Sequence, residues 1–254
     1  QEEFSDFIGN DGGPVAGTFN TPSLSSLGDV EIGVAYAIFD QLSTMGVKRG
    51  FRLAAQGLVR LPTSQLDNTG RFFDVGTGDH QPDVEGTIVG DGLFGAFGAR
   101  ALAGYTLQLA GTGNERISPP ENPIAYANTL ASVSRTPGNV LTLGVAPFFR
   151  LAETFAVTGG LTWRKKASDQ VTLFGDQEEI PGAPPSLLEL ETDGTWSTAS
   201  LGLSYSAPLM TKDGKSKAPM DAGLIWESVI GSSGSLRVPA TGGVRFWFRL
   251  YGKL

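Results

Sequence analysis

One pattern recurs along this chain. In segments of ten or more residues every second side chain is large and apolar, and the residues between are small or polar. Successive side chains of a strand point to opposite faces, so this alternation predicts strands rather than helices. In residues 29–39, Val30, Ile32, Val34, Tyr36 and Ile38 share one face, while Glu31, Gly33, Ala35 and Ala37 share the other. Similar alternation marks residues 51–62, 84–94, 99–110, 139–151, 155–164, 195–207, 220–230 and 237–251. Strands of globular proteins usually run about 5–6 residues, whereas a strand that crosses a bilayer needs about 9–11. The connections also alternate: short at 40–49, 95–98 and 152–154, long at 63–83, 111–138 and 167–194. Short turns on one side and long loops on the other are the layout of a transmembrane barrel.

The polar faces separate a membrane barrel from a soluble sandwich. A soluble sheet turns its polar face to water and fills the apolar side as a core. Here the polar faces are mostly Gly, Ala, Ser and Thr, with isolated Arg, Glu and Asp. Aromatic residues gather near strand ends: Tyr36, Phe51, Tyr105, Phe149, Phe155, Trp163, Tyr205 and Trp226. Such placement suits membrane-interface girdles. The expected fold is therefore all-β, an antiparallel up-and-down transmembrane barrel of about 10–12 strands spanning residues 28–254, after an irregular segment 1–27.

Composition removes other classes. The 254 residues include no Cys, so disulfides, thiolate metal sites and cysteine nucleophiles are excluded. The one His, His80, cannot form a multi-histidine metal site, so neither metal nor cofactor is expected. A net charge of −7 argues against a nucleic-acid partner. A lipid-hydrolase reading needs His80 as base, but the chain lacks Gly-x-Ser-x-Gly; no enzyme is expected. A start at Gln1 rather than Met points to a processed, exported chain.

Strand parity leaves a gap. With long loops outside, both the first strand and the last run inward, yet closed bacterial barrels have an even strand number. An upward strand is expected between them, from residues 13–19, from residues preceding the chain, or from a neighbouring subunit. Residues 122–134 are a further candidate for a hidden strand.

The run Leu27-Gly28-Asp29-Val30-Glu31-Ile32-Gly33 resembles an opening found in outer-membrane channel proteins. Leu58-Val59-Arg60-Leu61-Pro62-Thr63, Asp74-Val75-Gly76-Thr77-Gly78 and Asp83-Val84-Glu85 carry the resemblance further. Together they are similar to the bacterial outer-membrane β-barrels of the putative-transporter, or phenol-degradation meta-pathway, type. The likeness covers residues 27–105; beyond them only the strand pattern agrees. It implies passive uptake of small, often apolar or aromatic, solutes across a Gram-negative outer membrane. It also implies further strands before the Gly-Asp-Val-Glu segment. The end Tyr251-Gly252-Lys253-Leu254 departs from the terminal aromatic common in such barrels.

The alternation points Glu31, Arg52, Arg60, Glu85, Asp91, Arg100, Arg164, Asp221, Glu227, Arg245 and Arg249 into the lumen. Buried charges must pair or meet water. They could line a selective pore or form a network that plugs a narrow barrel, and the sequence leaves both open. The first gives a channel for small solutes; the second gives a sealed structural or interaction barrel. Outer-membrane lipid, lipopolysaccharide and a small solute are the expected partners, and self-association stays open. Lys165-Lys166 ends a strand on the side where lipopolysaccharide phosphates lie. Asp74, Asp79, His80 and Asp83 crowd one loop without the EF-hand spacing, which favours a solvated loop over a metal site. Glu178-Glu179 with Glu189 and Glu191 sit in a Pro-containing loop without a framework to fix them as paired acids.

Overall fold

The computed structural model describes residues 28–42, 47–64, 81–119, 129–152, 154–207, 220–236, 238 and 242–250. Twelve strands are present among them: β1 Val30–Asp40, β2 Arg49–Leu61, β3 Asp83–Phe94, β4 Phe97–Gln108, β5 Gly111–Arg116, β6 Leu130–Thr136, β7 Val140–Arg150, β8 Phe155–Lys166, β9 Gln170–Leu173, β10 Gly194–Ala207, β11 Met220–Gly234 and β12 Gly242–Leu250. Nine make one sheet in the order β1-β2-β3-β4-β7-β8-β10-β11-β12. Every neighbouring pair in it is antiparallel. These are the nine strands marked by the alternation.

Neither sheet closes among the described residues. β1 and β12 are the edges of the large sheet. Since nine antiparallel strands separate them inclusively, both edges run in the same direction, as the parity argument requires. Residues 13–19, expected to supply an intervening strand, lie outside the described residues, as does the expected boundary at residue 27.

The turn between β3 and β4 is tighter than its sequence suggests. Only Gly95-Ala96 lies between the strands, and Phe97 and Gly98 already pair as strand. Gly95 has φ +70°, the left-handed value that the first central residue of a type II′ hairpin needs. Arg150 holds this turn by donating from Nη2 to the Gly95 carbonyl at 2.6 Å.

The second sheet corrects the reading of two long connections as loops. β5, β6 and β9 pair in that order, mirroring β4, β7 and β8, whose ends they continue. Residues 122–134 overlap β6, which joins this small sheet and not the large one. Ile117, Ala131, Val133, Val171 and Ala183 form a buried cluster here, with Leu173, Ile180, Leu187 and Leu188 packed against it. The runs of alternation that build it, such as Ala131-x-Val133 and Val171-x-Leu173, are too short to stand out among the flanking prolines and glycines.

The large sheet is built the other way round. Its large apolar side chains are exposed: Val34 is 72% exposed, Phe246 69% and Leu161 54%. β7 alternates without a break, with Leu141, Leu143, Val145 and Phe149 outward and Val140, Thr142, Gly144 and Ala146 half-buried. All five buried hydrophobic residues of the described chain belong to the small sheet and its surroundings.

Gly138 ties the two sheets together. A Cβ there would lie 1.8 Å from the Ala167 carbonyl oxygen. Its N–H donates to Asp169 at 2.8 Å, and Ala167 donates to the Asn139 carbonyl at 3.0 Å. Gly138→Ala is expected to cost about 1–3 kcal/mol, because backbone, not a movable side chain, fills that space. Gly86→Ala, with open space around its Cβ, should change stability by less than about 0.5 kcal/mol. Urea unfolding of both variants checks the contrast.

Candidate functional site

The polar face of β1–β4, β7 and β8 borders a cavity of 810 Å³. Arg52, Arg60, Arg100 and Arg164 line it with Asp83, Glu85, Asp91, Gln56, Thr87, Thr106 and Thr142. Small inward residues such as Ala35, Ala54 and Gly104 leave its room.

Strand register brings the charges together. Arg52 is opposite Asp91 across β2 and β3, and Asp91 is opposite Arg100 across β3 and β4. Asp91 accepts from Arg52 Nη2 at 2.5 Å and from Arg100 Nε at 2.7 Å. One carboxylate, only 11% exposed, thus joins two guanidinium groups. Glu31, Arg60 and Asp83 form a second row across β1, β2 and β3. Arg60 donates to Glu31 at 2.8 Å and to Asp83 at 2.7 Å. Glu85 accepts from the Thr87 hydroxyl at 2.9 Å. Each ion pair joins registered neighbours on adjacent strands, so these side chains run along the wall rather than across the space in front of it.

The remaining charges behave differently. Arg164, Glu227 and Arg245 line a second cavity of 500 Å³ beside β8, β10, β11 and β12. None of the three forms an ion pair among the described residues. Asp221 accepts from the Ser206 hydroxyl at 2.6 Å. The Arg249 guanidinium lies 5.8 Å from the centre of the Trp247 ring, within cation–π range.

Asp83 is the first residue of β3, buried, and paired with Arg60. Asp74, Asp79 and His80 lie outside the described residues. Among the described residues no three metal-ligating side chains cluster. Lys165 and Lys166 fall on opposite faces of β8. Lys165 is exposed, whereas Lys166 is bonded to Asp169 and to the Thr192 carbonyl at 3.1 Å. Glu178 and Glu179 are exposed, and Glu189 accepts from the Val171 N–H at 2.7 Å.

Asp169 is a residue that the sequence pattern missed. It is buried and joins Lys166, Arg135 and the Gly138 N–H. Arg135 reaches on to Glu115 at 3.0 Å. These contacts bind the small sheet to the ends of β7 and β8. Asp169 sits in a short Ala-Ser-Asp-Gln link where no periodicity marks it.

No protein-family model matches the chain, and no curated protein does either.

Asp91→Asn removes the carboxylate that two arginines share and is expected to destabilise the protein by about 1–3 kcal/mol. Arg164→Gln breaks no ion pair among the described residues and should cost less than about 0.5 kcal/mol. Chemical denaturation of the two purified variants provides the comparison.

Proposed function

We propose that this chain is an outer-membrane β-barrel channel for passive passage of small solutes. The observation that carries this reading is the reversal of polarity between the two sheets. The small sheet buries Val133 and Val171, as a water-facing structure does. The large sheet exposes Leu, Val, Ile and Phe along all nine strands. A contiguous apolar surface of that extent in water is an aggregation site; in hydrocarbon it is the favoured surface.

The band has suitable dimensions. From Phe97 to Leu107 on β4 is ten residue steps, roughly 33 Å at about 3.3 Å per step. Tilted by about 40°, that spans roughly 25 Å, the apolar height typical of outer-membrane barrels. The end with short turns carries an aromatic row: Phe39, Phe51, Phe94, Phe97, Phe149, Phe155 and Phe248 are all exposed. Phe155 leans on Tyr205, with ring centres 5.0 Å apart. Tyr105 is exposed near the other end, on β4. The small sheet then stands on the outer side, beyond the lipid, among lipopolysaccharide head groups.

Lipid also dictates closure. Unpaired N–H and C=O groups on β1 and β12 are costly in hydrocarbon. Because both edges run the same way, an odd number of further strands completes an antiparallel barrel of about 10–12. The wall-hugging ion pairs favour a channel over the sealed alternative, since they leave the space before them open. The resemblance of residues 27–105 to uptake barrels agrees with small, apolar or aromatic solutes. The activity is transport, with no catalytic step and no cofactor.

Arg introduced at Leu143, Leu203 or Phe246, all exposed on the apolar face, should cost roughly 2–4 kcal/mol near the bilayer midplane. Arg at Thr142, on the opposite face, should be tolerated; equal costs on both faces would sink the reading. In planar bilayers the wild type should conduct. Neutralising Arg52, Arg60, Arg100, Arg245 and Arg249 together should shift its ion preference toward cations. A fully folded protein with no conductance and no liposome flux is the sealed barrel instead.

A further inference from the structure

We infer that the cavity beside Arg164 and Arg245 is a binding site for an amphiphilic organic anion, a carboxylate on an aromatic or aliphatic body. This deepens the channel reading by assigning a solute class to one part of its lumen. The contrast among the arginines carries the inference. Arg52, Arg60 and Arg100 each hold a carboxylate on the neighbouring strand. Arg164 and Arg245 line a cavity of 500 Å³ and hold none among the described residues. Arginine presents a planar fork of donors that matches a carboxylate in two bonds at once. A guanidinium left without an anion in a recess is poised to take one from a solute.

The rest of the lining sets the body of that solute. Trp196, Ile225 and Val229 border the same recess. Trp196 stands opposite Arg164 in the β8–β10 register, so a ring stacked on the indole would have its carboxylate near the guanidinium. The recess holds one carboxylate of its own, Glu227. Two arginines against one glutamate leave a net charge of +1. Glu227 therefore weakens anion binding and sets a sign that a purely structural role would not produce.

Benzoate and its neutral isostere benzamide are suitable probes, titrated by calorimetry into the full chain in detergent. Wild type is expected to bind benzoate at least about tenfold more tightly than benzamide, the scale of one charge-assisted pair. Arg164→Gln and Arg245→Gln should each remove most of that preference and leave benzamide unchanged. Glu227→Gln should tighten benzoate several-fold. This gain keeps the test decisive if an arginine variant fails to fold. Equal affinity for the two probes, or benzoate binding indifferent to all three substitutions, overturns the proposal. Because binding is read in detergent, it is independent of transport. A chain that prefers benzoate yet passes no ions supports the site and refutes the channel. A chain that conducts without that preference keeps the channel and loses the site.

Discussion

The structure depends on where its apolar surface can go. The nine-stranded sheet sends its large hydrophobic side chains outward on every strand, and its inward side is lined with Ala, Gly, Thr and paired charges. No packing partner covers the outer face among the described residues. Burial of apolar surface is the main favourable term in folding, and on the proposed reading lipid supplies that term for this sheet. The small sheet obeys the ordinary rule and encloses Ile117 and Val133. The two regimes meet near Gly138 and Ala167, where backbone contact and Asp169 bind one sheet to the other. On the proposed reading this seam is the outer boundary of the bilayer.

The same division explains the electrostatics. On the polar face, charges stand at registered positions on adjacent strands, so Glu31–Arg60–Asp83 and Arg52–Asp91–Arg100 form between neighbouring strands. Each row also pins register, because a slip of one residue would move its charges into the outer face. On β8, β11 and β12, Arg164, Glu227 and Arg245 form no ion pair among the described residues. Arg164, Glu227 and Arg245 share a recess with Trp196 instead. One half of the polar wall thus holds its arginines in ion pairs, and on the proposed reading the other half keeps charge for a solute.

Much of this was legible in the sequence, and the reason is periodicity. Strands as long as β7 repeat their alternation often enough to fix both their existence and their faces. Leu143 and Leu203 were expected outward, and both are exposed. The charges of the polar faces are legible as residues, but their partners are not, since partnership depends on register. Asp83 shows the difficulty: in sequence it sits with Asp79 and His80, while in space it faces Arg60. The small sheet leaves a weak signal because its strands are short and interrupted by Pro-containing links, and of them only β6 overlaps a candidate strand, at residues 122–134. Bulges in β1 near Ile38 and in β11 at Ile230 are likewise not legible in the sequence. A bulge adds one residue to an alternation and leaves little trace when both neighbours are apolar.

The central claim is that the face carrying Leu141, Leu143, Val145 and Phe149 meets lipid while the face between them meets water. Spin labels placed singly at each position from 141 to 149 of β7, in the protein reconstituted into bilayers, test it most directly. The account predicts that accessibility to oxygen, which concentrates in hydrocarbon, and accessibility to a water-soluble nickel chelate alternate out of phase with period two. Oxygen should peak at 141, 143, 145 and 149, and nickel at 142, 144 and 146. High nickel accessibility at 141, 143 and 145 would place that face in water and contradict the account.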